Sequence, residues 1–201
     1  MPQHIILLTG DTEFPFLSKA QQDANPALTV EHANSSTALS EAMAQSDPQS
    51  ARLLSFSTNI IVPASVLSAL PGPSYNFHPG PPAYPGSHPD SFAIYDGATR
   101  FGATVHEMIA RVDAGPIVRV SEFDIPEGSN ALDLATLAYQ HVAALFFELA
   151  PVLAASDTSL PHLNRQWGPR KYTRADYERM RAFDAVSNPM ERALRQRAFG
   201  D

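Results

Sequence analysis

Residues 76–86 read NFHPGPPAYPG, and this stretch decides where a strand of the fold must end. Seven of the eleven residues from Pro79 to Pro89 are proline or glycine. Proline lacks a backbone hydrogen-bond donor and glycine adds conformational freedom, so the run can form neither a helix nor a central strand. The preceding strand therefore ends at His78. Because alternate residues of a strand share a face, the Asn76 amide and the His78 imidazole point into the same space.

The segments before His78 alternate between strand and helix patterns. Short apolar or alternating runs predict strands at residues 4–10, 28–33, 51–57 and 74–78. Helical patterns separate them at residues 13–24, 36–47 and 63–70. This order is typical of an α/β, Rossmann-like fold with a mostly parallel sheet and flanking helices. Ligands bind beyond the carboxyl ends of such strands, which is where we expect Asn76 and His78.

The second half of the chain predicts a short helix, an antiparallel edge hairpin and a long helix. The short helix lies at residues 88–97, and alternating runs at 102–108 and 116–123 form the hairpin. Residues 129–149 then carry apolar side chains at the spacing of one helical face. Asn130, with Asp133 three residues later, is expected to cap the start of this long helix.

Composition and charge favour a single soluble domain with a distinct tail. The chain has 201 residues and lacks cysteine, which excludes disulfides and thiolate chemistry. Residues 1–164 hold sixteen acidic and five basic side chains, whereas residues 165–201 hold five acidic and nine basic ones. The negative charge of the first part disfavours nucleic-acid partners. We expect a catalytic domain over residues 1–160 and a basic helical tail over residues 161–201. The first apolar run, Ile5–Leu8, is too short for a signal peptide or a membrane span, so a cytoplasmic protein without membrane contact is expected.

Four motifs in order, between residues 51 and 155, resemble the catalytic core of the folate-dependent formyltransferases. This superfamily includes glycinamide ribonucleotide, methionyl-tRNA and nucleotide-sugar N-formyltransferases. The shared motifs are Asn-x-His-Pro, a Pro/Gly loop, Gly-x-Thr-x-His and Asp-x-Gly-Pro, found here at residues 76–79, 79–86, 102–106 and 113–116. The resemblance implies the formyltransferase form of the α/β fold and a transferase of one-carbon units that uses 10-formyltetrahydrofolate as formyl donor.

The resemblance also implies a catalytic trio, Asn76, His78 and Asp113. Formyl transfer to an amine develops negative charge on the formyl oxygen, which the Asn76 amide and a protonated His78 could stabilise by donating hydrogen bonds. The charge of Asp113 is expected to raise the pKa of His78, and its carboxylate could relay the proton of the amine. Each residue also has a plain structural interpretation, as a strand-end or turn residue. The histidine and carboxylate spacings match no zinc motif, so no metal is expected.

Two further segments are implied to hold the folate between their backbones. The pterin ring would lie between a loop after the third strand and the segment that precedes Asp113. The loop residues are Ile60, Ile61 and Val62, and the residues of the second segment are Ala110, Arg111 and Val112. A structural role is favoured for His106, and Thr104 is expected to hydrogen-bond backbone near Asp113. His88 could equally reach the acceptor or be a solvated loop residue.

Departures from the family pattern reduce the number of possible formyl acceptors. Asp11 and Glu13 lie where glycinamide ribonucleotide enzymes bind a phosphate, and their charges would repel it. The acidic body and the absence of a following RNA-binding domain disfavour tRNA. A small primary amine remains, with an amino sugar on a nucleotide carrier as the best candidate and a homodimer through the tail as an open possibility. A 10-formyltetrahydrofolate hydrolase, another one-carbon or acyl transfer on this fold, or a noncatalytic folate-binding module are the alternatives.

Overall fold

The computed structural model describes residues 2–182 and 188–200. One six-stranded sheet has the order β2-β1-β3-β4-β5-β6. The strands are β1 His4–Leu8, β2 Thr29–Ala33, β3 Ala51–Phe56, β4 Tyr75–His78, β5 Arg100–Glu107 and β6 Ile117–Asp124. The first four strands are parallel to one another, whereas β5 pairs antiparallel with both β4 and β6. The prediction of a mostly parallel sheet with an antiparallel edge hairpin is confirmed.

Helices cover both faces of this sheet. They are α1 Phe14–Ala24, α2 Ser36–Gln45, α3 Ala64–Ala69, α4 Pro89–Tyr95, α5 Ala131–Ala155, α6 Arg174–Arg181 and α7 Pro189–Phe199. On one face, side chains of α1 and α5 pack with Phe56, Phe77 and Val105 into the largest apolar cluster. On the other face, α2 and α3 cover Ile6, Leu53 and their neighbours. The apolar cluster on this second face involves mainly β1 and β3. On the same face, β4 and β5 carry polar side chains instead.

The long helix α5 extends six residues past its predicted end at Leu149. Its start is as predicted: Asn130 and Asp133 form a reciprocal capping box. Its last turns follow Pro151, and tertiary hydrogen bonds stabilise them: Arg52 donates to the carbonyl oxygens of Leu153 and Ser156, at 3.0 and 2.5 Å. Such partners come from distant parts of the chain, which the local pattern could not reveal.

Helix α5 is also long and apolar enough, by length and composition alone, to cross a membrane. Its buried side chains, among them Val142, Phe146 and Leu153, belong to the main apolar cluster between this helix and the sheet. A core helix passes the same test as a membrane span, and the packing observed here is that of a core helix.

The chain after α5 returns to the sheet before forming its last two helices. Residues 163–172, here named the strap, run in extended form over β6 and over the loop that follows β4. α6 has a capping box at Thr173 and Asp176, and α7 packs Phe199 against Phe92 of α4. Part of the predicted tail, residues 183–187, lies outside the described residues, and the domain boundary at residue 160 stays a prediction.

Candidate active site

The pairing of β4 with β5 creates a row of polar side chains on one face of the sheet. The antiparallel register places Asn76 opposite His106 and His78 opposite Thr104. Directly opposed residues in an antiparallel pair share a face, so all four side chains project to the same side. Because β4 is only four residues long and is followed at once by the Pro/Gly loop, this row lies where the strand ends.

Asp113 joins this row from the turn between β5 and β6. Its Oδ1 lies 3.3 Å from His106 Nε2, and its Oδ2 accepts a 2.8 Å hydrogen bond from the Gly86 backbone N–H. The residue has a positive φ of 47°, a left-handed conformation that aspartate tolerates better than most residues. The Asp113 carboxylate is thus fixed between the His106 imidazole and the Pro/Gly loop. The sequence-predicted trio does converge, with His106 as the direct partner of Asp113.

The protonation of His106 determines which neighbour its Nε2 can engage. The Nδ1 atom lies 2.9 Å from the Glu107 carbonyl oxygen, which can only accept, so Nδ1 carries a proton. The Nε2 atom lies 3.2 Å from the Asn76 amide nitrogen. A neutral ring accepts that amide hydrogen at Nε2, whereas a protonated ring donates to Asp113. His106 therefore links the amide and the carboxylate of the trio.

His78 is the most deeply desolvated member of the trio. Its residue exposure is 7%, and its Nε2 has no hydrogen-bond partner among the described residues. Burial lowers the pKa of this imidazole and the neighbouring His106 lowers it further, although the charge of Asp113 acts in the opposite direction. The charge of Asp113 does act to raise this pKa, as expected, but the cost of burying a charged ring exceeds that attraction, so the expected protonated His78 is not supported. A neutral imidazole with a free Nε2 is a proton acceptor.

Asp113 itself remains ionised. Burial would raise the pKa of this carboxyl, but the neighbouring His78 and His106 and the hydrogen bonds from His106 and the Gly86 backbone together lower it well below its usual range. A buried carboxylate with these partners provides a fixed negative charge beside the two imidazoles. It can therefore stabilise an imidazolium that forms during proton transfer.

Thr104 connects the sheet to the Pro/Gly loop. Its buried hydroxyl donates a 2.7 Å hydrogen bond to the Gly80 carbonyl oxygen. The expected partner was backbone near Asp113, and that prediction is wrong: the register of β5 places Thr104 opposite His78, whose next residues form the loop. A Cβ on Gly80 would lie 2.5 Å from His78 Nε2, so glycine is needed for this close approach to the imidazole.

The two segments implied to hold the folate lie beside the polar row. Ile60 and Val62 pack against the apolar cluster on the catalytic face of the sheet, and Met108, just before the second segment, packs against the same cluster. Ile61 is 68% exposed, and Ala110 and Arg111 are exposed while Val112 is partly buried. The segments thus offer accessible backbone near the row, and their contact with folate stays a prediction.

The structure also shows where His88 and the two carboxylates of the acidic loop after β1 lie. His88 has a φ of 52° and stacks face-on with Tyr177 of α6 at 3.6 Å between ring centroids. The residue is exposed to solvent and lies outside the polar row. Asp11, in the acidic loop after β1, is largely exposed and accepts a 2.7 Å hydrogen bond from Asn34, and Glu13 accepts one from Tyr139 at 3.2 Å.

One residue that sequence reasoning did not select lies against the imidazoles of His78 and His106. The indole of Trp167, on the strap, contacts the His106 ring edge-on at 4.9 Å and the His78 ring at 6.2 Å. Its Nε1–H donates a 2.8 Å hydrogen bond to the Gly115 carbonyl oxygen. No spacing rule pointed to it. The available signal was that Trp167 is the chain's single tryptophan, in a segment rich in polar residues.

A Rossmann-like sheet thus brings an Asn, two His and an Asp close together where β4 ends. Residues 3–143 match the family model described as Formyl transferase. The chain therefore belongs to the formyl transferase family and is an enzyme of that class.

Solved structures share the fold at low sequence identity. A 4-N formyltransferase from Francisella tularensis gives a TM-score of 0.72 at 18% identity, covering 98% of this chain and 87% of that chain. An N-formyltransferase from Helicobacter canadensis, solved with folinic acid and dTDP-3-aminofucose, gives 0.72 at 15% identity, covering 99% and 81%. HypX from Aquifex aeolicus, solved with tetrahydrofolic acid, gives 0.65 at 17% identity, covering 96% of this chain and 33% of that chain.

Proposed function

We propose that this enzyme transfers the formyl group of 10-formyltetrahydrofolate to a small primary amine, an amino sugar on a nucleotide carrier. The observation that carries the proposal is the convergence of Asn76, His78 and Asp113 on one face of the sheet, with His106 between two of them. The donor supplies a formyl amide. The residues supply a hydrogen-bond donor, a proton acceptor and a fixed negative charge.

The chemistry assigns a different task to each residue. The amine nitrogen bonds to the formyl carbon, the carbon–nitrogen bond to the donor breaks, and the donor nitrogen leaves with a proton. Asn76 has a second amide hydrogen besides the one directed at His106, and this hydrogen can stabilise the negative charge that develops on the formyl oxygen. Neutral His78 accepts the proton that the amine loses, and Asp113 stabilises the resulting imidazolium. The imidazolium then gives this proton to the departing donor nitrogen, which regenerates neutral His78.

The folate is proposed to bind through backbone groups of residues 60–62 and 110–112. The buried, unpartnered Nε2 of His78 fits a ligand that brings a polar group to that position, since a buried polar atom without a partner is costly. Partly apolar side chains with accessible backbone suit a flat heteroaromatic ring. Neighbouring structures contain folinic acid or tetrahydrofolic acid, which supports a folate-type donor.

The acceptor is proposed from the acidic loop and from a structural neighbour. The Helicobacter canadensis enzyme was solved with dTDP-3-aminofucose, an amino sugar on a nucleotide. Asp11 and Glu13 place two carboxylates beyond the end of β1, on the edge of the sheet where β4 also ends. Negative charge there disfavours a phosphate and favours an ammonium-bearing group. A dimer and a cytoplasmic location stay predictions.

The test is a turnover assay with 10-formyltetrahydrofolate and a panel of nucleotide-linked amino sugars, with glycinamide ribonucleotide as a further acceptor. We expect formylated amino sugar by mass spectrometry, and no formylated ribonucleotide. Release of formate at the same rate without any amine would identify a hydrolase instead. Absence of both turnover and saturable 5-formyltetrahydrofolate binding would contradict the proposed function.

A further inference from the structure

The strap is joined to the catalytic region by backbone hydrogen bonds along its length. Near its start, the Leu163 N–H donates to the Ile117 carbonyl oxygen of β6 at 2.7 Å. In its middle, the Gly168 N–H donates to Pro82 of the Pro/Gly loop at 2.8 Å. At its end, Tyr172 donates to Pro85 at 3.0 Å and accepts from Ser87 at 2.9 Å. The strap therefore holds a fixed position over the loop that follows His78.

The fit between strap and loop depends on glycine as well. Gly86 has a φ of 103°, and a Cβ at this position would collide with the Tyr172 carbonyl oxygen. The same Gly86 donates its N–H to Asp113. One loop residue thus contacts both the catalytic carboxylate and the strap, so the position of the strap and the geometry of the trio are fixed together.

Trp167 is the part of the strap that lies against the imidazoles. Its indole is held by the hydrogen bond to the carbonyl oxygen of Gly115, two residues after Asp113 in the same turn. The ring meets the His106 ring at 88° and the His78 ring at 66°, so its edges or faces cover both imidazoles. Both histidines are almost fully buried, with exposures of 2% and 7%.

We propose that Trp167 is a positioning residue of the active site: its indole, held by the strap, excludes water from His78 and His106 and thereby keeps His78 available to accept a proton from the incoming amine. The inference rests on the proposed formyl transfer for its catalytic meaning. The shielding itself is a physical property of the protein that can be measured without turnover.

The groups that face His78 determine whether removal of the Trp167 indole raises or lowers the pKa of His78. Burial and the neighbouring His106 disfavour its charged form, and Asp113 favours it. The strap adds Lys171, whose ammonium donates to the Val112 carbonyl oxygen at 3.1 Å, next to Asp113. Removing the indole admits water and weakens the burial effect, so the pKa of His78 should rise toward that of an exposed histidine. A larger fraction of His78 would then be protonated, and inactive as a base, at mildly acidic pH.

The first experiment compares pH profiles of Trp167→Ala, Trp167→Phe and wild type. For Trp167→Ala, kcat/KM should fall about three- to ten-fold more at pH 6 than at pH 8, since one pKa unit corresponds to ten-fold. Trp167→Phe keeps an aromatic cover but loses the bond to Gly115, so its profile should lie between the two. Phe147→Ala is the matched control, because it removes a half-exposed ring from α5, on the opposite face of the sheet. Equal losses at both pH values would overturn the proposal.

The second experiment needs no catalytic activity. Trp167 is the single tryptophan, so tryptophan fluorescence, excited at a wavelength that the tyrosines do not absorb, reports this site alone. A protonated imidazole in ring contact quenches an indole. A His106→Gln variant leaves His78 as the imidazole in contact with Trp167, and its quenching midpoint should lie below the value of about 6.5 for an exposed histidine. A midpoint at or above that value would overturn the shielding.

The two experiments separate failure of the shielding from failure of the proposed function. If the His106→Gln protein shows the acidic quenching midpoint but wild-type protein transfers no formyl group, the shielding stands and the proposed function fails. If Trp167→Ala does not fold, Trp167→Phe and the fluorescence titration of His106→Gln still decide the matter.

Discussion

The two faces of β4 and β5 carry different kinds of side chain, although alternate residues of the same two strands form them. Toward α5, Tyr75, Phe77 and Val105 are fully buried in the main apolar cluster, and the Phe77 ring lies 4.9 Å from that of Phe146. Toward the Pro/Gly loop, Asn76 and His78 alternate with them and form the polar row. A strand with a period of two therefore builds a core and a catalytic site at once. Substitutions on one face should affect stability, and those on the other face should affect turnover.

The largest expected effect is on the apolar face. Phe77→Ala removes a fully buried ring between Phe56 and Phe146 and should lower the free energy of unfolding by about 3 to 5 kcal/mol. The kcat per folded molecule should stay near wild type, since Phe77 projects away from the polar row. Urea unfolding and active-site titration on one preparation test this, with Phe147→Ala as an exposed control. A large fall in kcat of the folded variant would show that the two faces are not independent.

On the polar face, His78→Ala and Asn76→Ala should each lower kcat by roughly a hundred-fold or more. These groups act on charges that develop during transfer, so folate affinity should change much less. Steady-state kinetics and calorimetry with 5-formyltetrahydrofolate measure both quantities. Wild-type turnover in His78→Ala would end the acyl-transfer assignment.

Asp113 should affect both stability and turnover. Its lowered pKa means that its ionised form stabilises the fold above the ordinary carboxyl value of about 3.9, and that this contribution is lost as the pH falls below that value. Asp113→Asn should therefore lose roughly 1.5 to 3 kcal/mol at pH 7 and progressively less at lower pH. Urea unfolding at pH 3, 5 and 7 tests this against Asp23→Asn, whose carboxylate pairs with Lys19 at the surface. Parallel pH profiles for both variants would contradict the prediction.

The smallest effect is expected at Thr104, which tests whether the polar row also positions the loop. Thr104→Val keeps the shape of the side chain but leaves the Gly80 carbonyl oxygen without this donor, at a cost of about 1 kcal/mol. A loop shift beside His78 should also lower kcat, by less than either substitution in the trio. Thermal melts and kinetics measure both, and Thr104→Ser, which retains the hydroxyl, should restore kcat. Failure of that rescue would exclude a positioning role for the hydroxyl.

The sequence pattern predicted those features of the fold that depend only on residues close together in the chain. The end of β4 at His78, the shared face of Asn76 and His78, and the capping box at Asn130 all follow from residues near one another in sequence. The neutral state of His78 depends on burial by distant segments, and the last turns of α5 depend on Arg52. Thr104 was assigned the wrong partner because strand register, not composition, selects it. Trp167 was missed because backbone pairing between distant loops leaves no periodic signal.

The bridge between Gly86 and Tyr172 has a consequence for the synthesis of the protein. The Pro/Gly loop leaves the ribosome long before the segment that covers it, and at about 5 to 20 residues per second the delay is on the order of ten seconds. During that interval the strands that carry His78 and His106 are made, whereas Trp167, which contacts both rings, is not. The order of synthesis therefore places the polar row in the chain before the aromatic side chain that packs against it.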